Sequence, residues 1–218
     1  HWYLVTPGHC VDEITKMLNR GYRITCELMD NLDVGAKFKN PIPFAYEPSE
    51  AISLAEFGAD FGVIELPEMY RRLLAANNME PLSEKGWRLR PENYEPFRYL
   101  LVGIPNELTR KHGSAIHYMP SIHPVEKLTE RPDYIDEPAV PTFYGKIVLG
   151  DDLSSIRGMS GGPIFRLQEV NGSVKYWLHA LQSTWYSTER TVVAPLVESL
   201  GDALERVQDL RSAQERQG

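Results

Sequence analysis

Gly158-Met159-Ser160-Gly161-Gly162-Pro163, followed by apolar Ile164-Phe165, sets one serine among glycines. A hydroxyl in such a turn can be presented as a nucleophile. The backbone N–H groups around it can gather the negative charge that develops on an attacked carbonyl oxygen. Alone, the hexapeptide is also compatible with an ordinary glycine-rich turn. Two other segments supply what a nucleophilic serine needs. Leu4-Val5-Thr6 reads as a strand ending at Pro7-Gly8, and His9-Cys10-Val11 follows directly. Gly58-Ala59-Asp60-Phe61-Gly62-Val63-Ile64-Glu65-Leu66 puts an aspartate at the mouth of an apolar strand. A carboxylate in that setting needs a donor, and an imidazole N–H is a suitable one. A base, a carboxylate to orient it and a nucleophile thus occur in the order His9, Asp60, Ser160, separated by 51 and 100 residues.

That order and those segments resemble the trypsin-like (chymotrypsin-fold) serine peptidases. LVTPGHCV at 4–11 is similar to the family's strand followed by Ala-His-Cys. DFGVIEL at 60–66 is similar to its Asp-Ile-Ala-Leu-Leu-x-Leu. GMSGGPIF at 158–165 is similar to its Gly-Asp-Ser-Gly-Gly-Pro-Leu-Val. The likeness runs from about residue 2 to residue 210. It implies an all-β fold of two antiparallel β-barrels with a C-terminal α-helix, forming one peptidase domain over 1–218. The first barrel is expected at about 1–95, the second at about 96–195 and the helix at about 195–212. The implied activity is that of a hydrolase, a serine endopeptidase working through an acyl-enzyme without a cofactor. Ser160 is the expected nucleophile, His9 the base, and Asp60 the group that holds the histidine tautomer. The N–H groups of Gly158 and Ser160 are the expected oxyanion hole. The competing class is a catalytically silent or partner-activated binding module on the same fold, since fold does not fix activity.

The resemblance also assigns specificity. Ser154, six residues before the nucleophile, takes the pocket floor, and Arg157 takes the pocket mouth. Gln182-Ser183-Thr184-Trp185 supply the wall, with Ser183 contacting the substrate backbone and Trp185 narrowing the pocket. An uncharged floor argues against a basic residue before the cut. Two departures from the family stand out. Met159 occupies the place of the acid that captures a freed N-terminus in members activated by proteolysis, so that route is not expected. His1 lies only eight residues before His9, where the family has two further strands. The expectation is that upstream residues belong to the protein.

Composition bounds the remainder. With 218 residues, 42% of them hydrophobic, the chain can bury one large core or two small ones. No apolar stretch approaches the ~20 residues of a membrane span. A net charge of −7 argues against binding a phosphate backbone. The expected partners are a protein or peptide substrate and a regulatory domain or protein. The two cysteines, Cys10 and Cys26, are expected to be buried free thiols rather than a bridge. Such thiol usage suits a reducing, cytoplasmic setting and the disulfide-poor bacterial members of the family. His112, His117, His123 and His179 match no zinc spacing, and no metal site is expected.

Strands are expected at Tyr22–Leu28, Phe61–Leu66, Tyr99–Ile104, Tyr144–Leu149, Gly162–Leu167, Tyr176–Gln182 and Thr191–Ala194, with a hairpin at Asn171-Gly172. A short helix fits within Pro67–Asn77. Val197, Leu200, Leu204, Val207 and Leu210 mark an amphipathic terminal helix. Residues 105–143 read as long loops, with a short strand near Ser114–Tyr118.

Overall fold

The computed structural model describes residues 1–28, 42–54, 59–88, 96, 98–112, 115–150 and 153–215. Gly58, Ser114 and the tail beyond 215 lie outside these residues. The chain divides into two units. One comprises His1–Ala55 with Asp60–Leu82, and the other comprises Glu56–Ala59 with Ser83–Gly218.

The first unit contains β1 (Tyr3–Thr6), α1 (Gly8–Asn19), β2 (Cys26–Leu28), β3 (Ile42–Phe44), β4 (Ala51–Ser53), β5 (Gly62–Glu65) and α2 (Glu68–Ala76). β5 is the central strand of a three-stranded sheet, between β1 and β4. That position explains its unbroken apolar run, since both faces are covered. β2 and β3 form a separate antiparallel pair. Leu28, Phe44, Ile64, Leu66, Tyr70 and Leu74 make the unit's core. The Tyr70 hydroxyl is kept there because it accepts a hydrogen bond from the Ala45 N–H at 3.0 Å.

Two sequence expectations change in this unit. Tyr22–Leu28 is a strand only over Cys26–Leu28, because its partner β3 is three residues long and the preceding residues have no strand to bond. The residues after Pro7 are helix rather than turn. Pro7 stands at the N-cap of α1, where its missing N–H costs nothing. Val11, Ile14 and Leu18 follow at helical spacing.

The second unit contains β6 (Arg98–Gly103), β7 (Thr109–His112), β8 (Ala115–Tyr118), β9 (Ser121–Lys127), β10 (Thr142–Ile147), β11 (Pro163–Val170), β12 (Ser173–Leu181), β13 (Thr184–Tyr186), β14 (Thr191–Pro195) and α3 (Val197–Glu215). Seven of these strands form one antiparallel sheet in the order β12-β11-β6-β9-β10-β14-β13. The sheet curls as a half-barrel. The end of β12, at one edge, meets the chain just past β14 through a bridge between Ala180 and Leu196. Leu101, Val125, Phe143, Ile156, Met159, Ile164, Ala180 and Val192 fill its interior. β11 and β12 are joined at Asn171-Gly172, both at positive φ (53° and 73°), as the hairpin signal required.

The segment 105–143 is not all loop: β7, β8 and β9 lie in it. β9 escapes a pattern reading because its inward positions are His123 and Val125, while Ile122 faces out. Pro124 further disguises a strand with neighbours on both sides. α3 buries Val197, Leu200 and Ala203 and packs on β12. Gly201 approaches the Trp87 ring so closely that a Cβ there would lie 2.8 Å from it. Among the described residues, no helix is long and apolar enough to cross a membrane.

Candidate active site

The antiparallel register of β1 and β5 pairs Thr6 with Gly62. The residues just after Thr6 therefore meet those just before Gly62, and His9 and Asp60 come together across 51 positions of sequence. Asp60 makes two contacts with His9. Its Oδ1 accepts the His9 backbone N–H at 2.9 Å, and its Oδ2 lies 2.8 Å from His9 Nδ1. The first contact satisfies one of the open donors at the start of α1, a task that Pro7 cannot perform. Gly8 makes the approach possible: a Cβ there would sit 3.2 Å from both Asp60 Oδ1 and the Phe61 carbonyl oxygen.

An ionised carboxylate only accepts. The neutral ring paired with it carries its proton on Nδ1 and leaves Nε2 open as a base. The His9 side chain is 52% exposed and that of Asp60 30%. A pair this exposed contributes only about 0–1 kcal/mol to stability. Folding alone therefore gives little reason for fixing the ring so closely.

The second unit carries the serine. Arg157 to Gly161 form the turn that enters β11. The Met159 side chain points into the core and is 2% exposed, whereas Ser160 is exposed beside it. The Met159 N–H donates to the Ile156 carbonyl, the Gly161 N–H to the Gln182 carbonyl and the Gly162 N–H to the Met159 carbonyl. Among the described residues, the N–H groups of Gly158 and Ser160 have no such acceptor. These are the two donors expected to hold an oxyanion. Gly158 sits at φ 95°, where a side chain is strained, and a Cβ there would lie 2.2 Å from Asn106 Oδ1.

The expected specificity residues surround this turn. Gly161 and Gly162 both bond Gln182, so Ser183 follows directly beside the nucleophile turn. The Ser183 N–H is committed to the Val193 carbonyl, and its hydroxyl lies 3.4 Å from that of Thr184. Trp185, in β13, packs partly buried against the core cluster. Arg157 is exposed, and its carbonyl accepts the Asn106 N–H at 2.8 Å. Asp151 and Asp152 lie outside the described residues.

Ser154 has a partner that sequence reading missed. Its N–H donates to Glu107 Oε2 at 2.9 Å, and its hydroxyl donates to Glu107 Oε1. These bonds hold the Glu107 carboxyl below its ordinary range. Ser154 and Glu107 are 47 positions apart on irregular segments, so no periodicity could have linked them.

Cys10 and Cys26 are both free and half-buried. Burial, then the Asp60 charge, pushes the Cys10 thiol up, which suppresses the thiolate form and leaves Cys10 a poor nucleophile despite its place beside His9. Burial also raises Cys26. Two histidines away from the pair have other work. His123 Nε2 pairs with the Ser121 hydroxyl at 2.8 Å, and burial pulls its pKa down. His179 packs against the Tyr99 and Phe143 rings. Among the described residues, no three His, Cys, Asp or Glu side chains cluster as a metal would require.

No family model matches this chain, and neither does any curated protein. Among solved structures, it is similar to a structure described as the crystal structure of tobacco vein mottling virus protease, at 13% identity and a TM-score of 0.39. The match covers 89% of this chain and 65% of that one, so the chain spans somewhat less than two thirds of that protein's resolved length.

Proposed function

We propose that the chain is a serine endopeptidase of the trypsin-like class, cutting peptide bonds through an acyl-enzyme. The observation that carries this reading is the His9–Asp60 pair, a half-exposed imidazole fixed through Nδ1 by a carboxylate that also holds the histidine's backbone. In the proposed mechanism, Ser160 Oγ attacks the carbonyl carbon as His9 Nε2 takes its proton. The oxyanion is received by the Gly158 and Ser160 N–H groups. His9 then protonates the leaving amine, and a water molecule repeats the sequence to release the acid. Asp60 keeps the ring in the required tautomer and balances the imidazolium. Loss of one oxyanion donor raises such a barrier by about 3 kcal/mol. The same reading takes residues of about 1–95 and 96–195 as counterparts of the two barrels, with the terminal helix after them.

Active-site titration tests the proposal. An aryl organophosphonate should label the wild-type chain to one equivalent, with the adduct on Ser160. Wild-type protein that takes no label at any pH from about 6 to about 9 would sink the endopeptidase reading and leave a silent binding module.

Cleavage preference is a second expected result. With Ser154 as floor, the residue before the cut should be apolar or small. Both Glu107 oxygens accept bonds from Ser154. Apolar pockets separate side chains by only about 1–3 kcal/mol, so the preference should be broad. A peptide library read by mass spectrometry decides this. A dominant Lys or Arg preference would mean that the Glu107 carboxylate still reaches the pocket.

A further inference from the structure

The loop that bears Ser160 is gripped from one side by a single short turn. Asn106–Leu108 is a 3-10 turn directly after β6. Its Asn106 N–H donates to the Arg157 carbonyl at 2.8 Å. The Asn106 side-chain oxygen backs onto Gly158, filling the space where a Cβ would be. Glu107 takes the N–H and the hydroxyl of Ser154. Just ahead of the turn, Gly103 lies under Met159, whose side-chain atoms would be 2.8–3.2 Å from a Cβ at that position. Contacts from 103–107 thus fall on Ser154, Arg157, Gly158 and Met159. Among the described residues, this arrangement leaves the Gly158 and Ser160 N–H groups as open donors.

We infer that Asn106 and Glu107 form a strut that holds the 154–160 loop with its two open N–H groups aligned, and that Glu107 is a positioning residue for the oxyanion hole. The geometry of the strut stands on its own, and its role in turnover rests on the endopeptidase reading above. Glu107 is exposed and touches none of the three expected triad residues, so its influence runs through Ser154. Bonds from an N–H and a hydroxyl to one carboxylate bias a loop by a factor on the order of ten to a hundred. Asn106 contributes differently. Its wedge against Gly158 is steric, and it fills the space beside a residue held at positive φ.

Two measurements on the full chain test this. The first is amide hydrogen exchange, comparing Glu107→Ala and Glu107→Gln with wild type. Met159 and Gly162 are the informative amides, because their hydrogen bonds go to Ile156 and Met159 and not to Glu107. Their exchange should rise about tenfold or more in Glu107→Ala, and less in Glu107→Gln, whose carbonyl still accepts the Ser154 N–H. Amides of β6 and β11 should not change. Unchanged Met159 and Gly162 exchange in both variants would overturn the strut. So would an equal rise throughout β6 and β11, which would make Glu107 a support of the whole unit. The second is the phosphonate labelling rate together with the kcat and KM split. Labelling and kcat should fall about ten- to a hundredfold in Glu107→Ala with KM within about threefold, since the lost alignment matters at the oxyanion. If the wild type labels and these rates do not change, the positioning role fails. If the wild type does not label, the endopeptidase reading fails and the exchange data still decide the strut. Asn106→Ala provides an independent variant if Glu107→Ala does not fold, and the same exchange result is expected of it.

Discussion

Ser160→Ala should abolish phosphonate labelling and lower peptide turnover by about 10⁶-fold, and His9→Ala should do nearly the same. The size follows from the way nucleophile and base act as one unit: without either, only binding and the oxyanion donors remain. The variants should stay folded. Ser160 is exposed, and among the described residues its hydroxyl has no hydrogen-bond partner, so its removal belongs with surface changes worth about 0.5 kcal/mol or less. His9→Ala keeps the backbone N–H that Asp60 Oδ1 accepts, so the cap on α1 survives. Single-turnover assays with a fluorogenic peptide and circular dichroism check both points. The double variant should be no slower than either single one. Turnover in Ser160→Ala above about one hundredth of wild type would remove the serine from the mechanism. An additive loss in the double variant would mean that Ser160 and His9 do not act together.

The site was legible where chain order and strand register express the same thing. Thr6 and Gly62 end their strands opposite one another, so a histidine just past one and an aspartate just before the other had to meet. The turn that bears Ser160 was legible through its glycines, which serve positive φ at Gly158 and Gly161. The terminal helix and the Asn171-Gly172 hairpin were legible because each is dictated by local spacing. Other features depend on tertiary partners. α1 was hidden behind Pro7-Gly8, a pair that signals a turn in isolation but here opens a helix with one of its first donors capped by a remote carboxylate. β9 was hidden because a histidine occupies an inward position and a proline interrupts the run. Glu107 could not be found, since its value lies wholly in bonds to Ser154, which no spacing rule anticipates. The Ser154 floor, taken from resemblance as an uncharged surface, therefore has an anionic neighbour.

Asp60→Asn should lower kcat and the phosphonate-labelling rate about 10⁴-fold while leaving the fold in place. The two contacts between Asp60 and His9 dictate this. One side-chain oxygen is claimed by the His9 backbone N–H, which can only donate. The single side-chain oxygen of the substituted amide would have to stay there to keep α1 capped. Its NH₂ would then face His9 Nδ1, now 2.8 Å from Oδ2. An NH₂ also only donates, so Nδ1 must become the acceptor and the ring proton must move to Nε2. The nitrogen needed as base is then occupied. Turning the amide over restores an acceptor to Nδ1 but faces the backbone N–H with a donor, breaking the cap at a cost of about 0.5–2 kcal/mol. The first orientation therefore prevails, and the enzyme is held in the wrong tautomer. Nitrogen-15 NMR of the His9 ring should show the proton on Nδ1 in wild type and on Nε2 in Asp60→Asn. Asp60→Ala, which frees the ring to choose, should be less damaged per molecule that still folds but less stable through loss of the cap. An Asp60→Asn variant that keeps about a tenth of wild-type kcat, or one whose ring proton stays on Nδ1, would show that Asp60 serves the helix end and not the histidine.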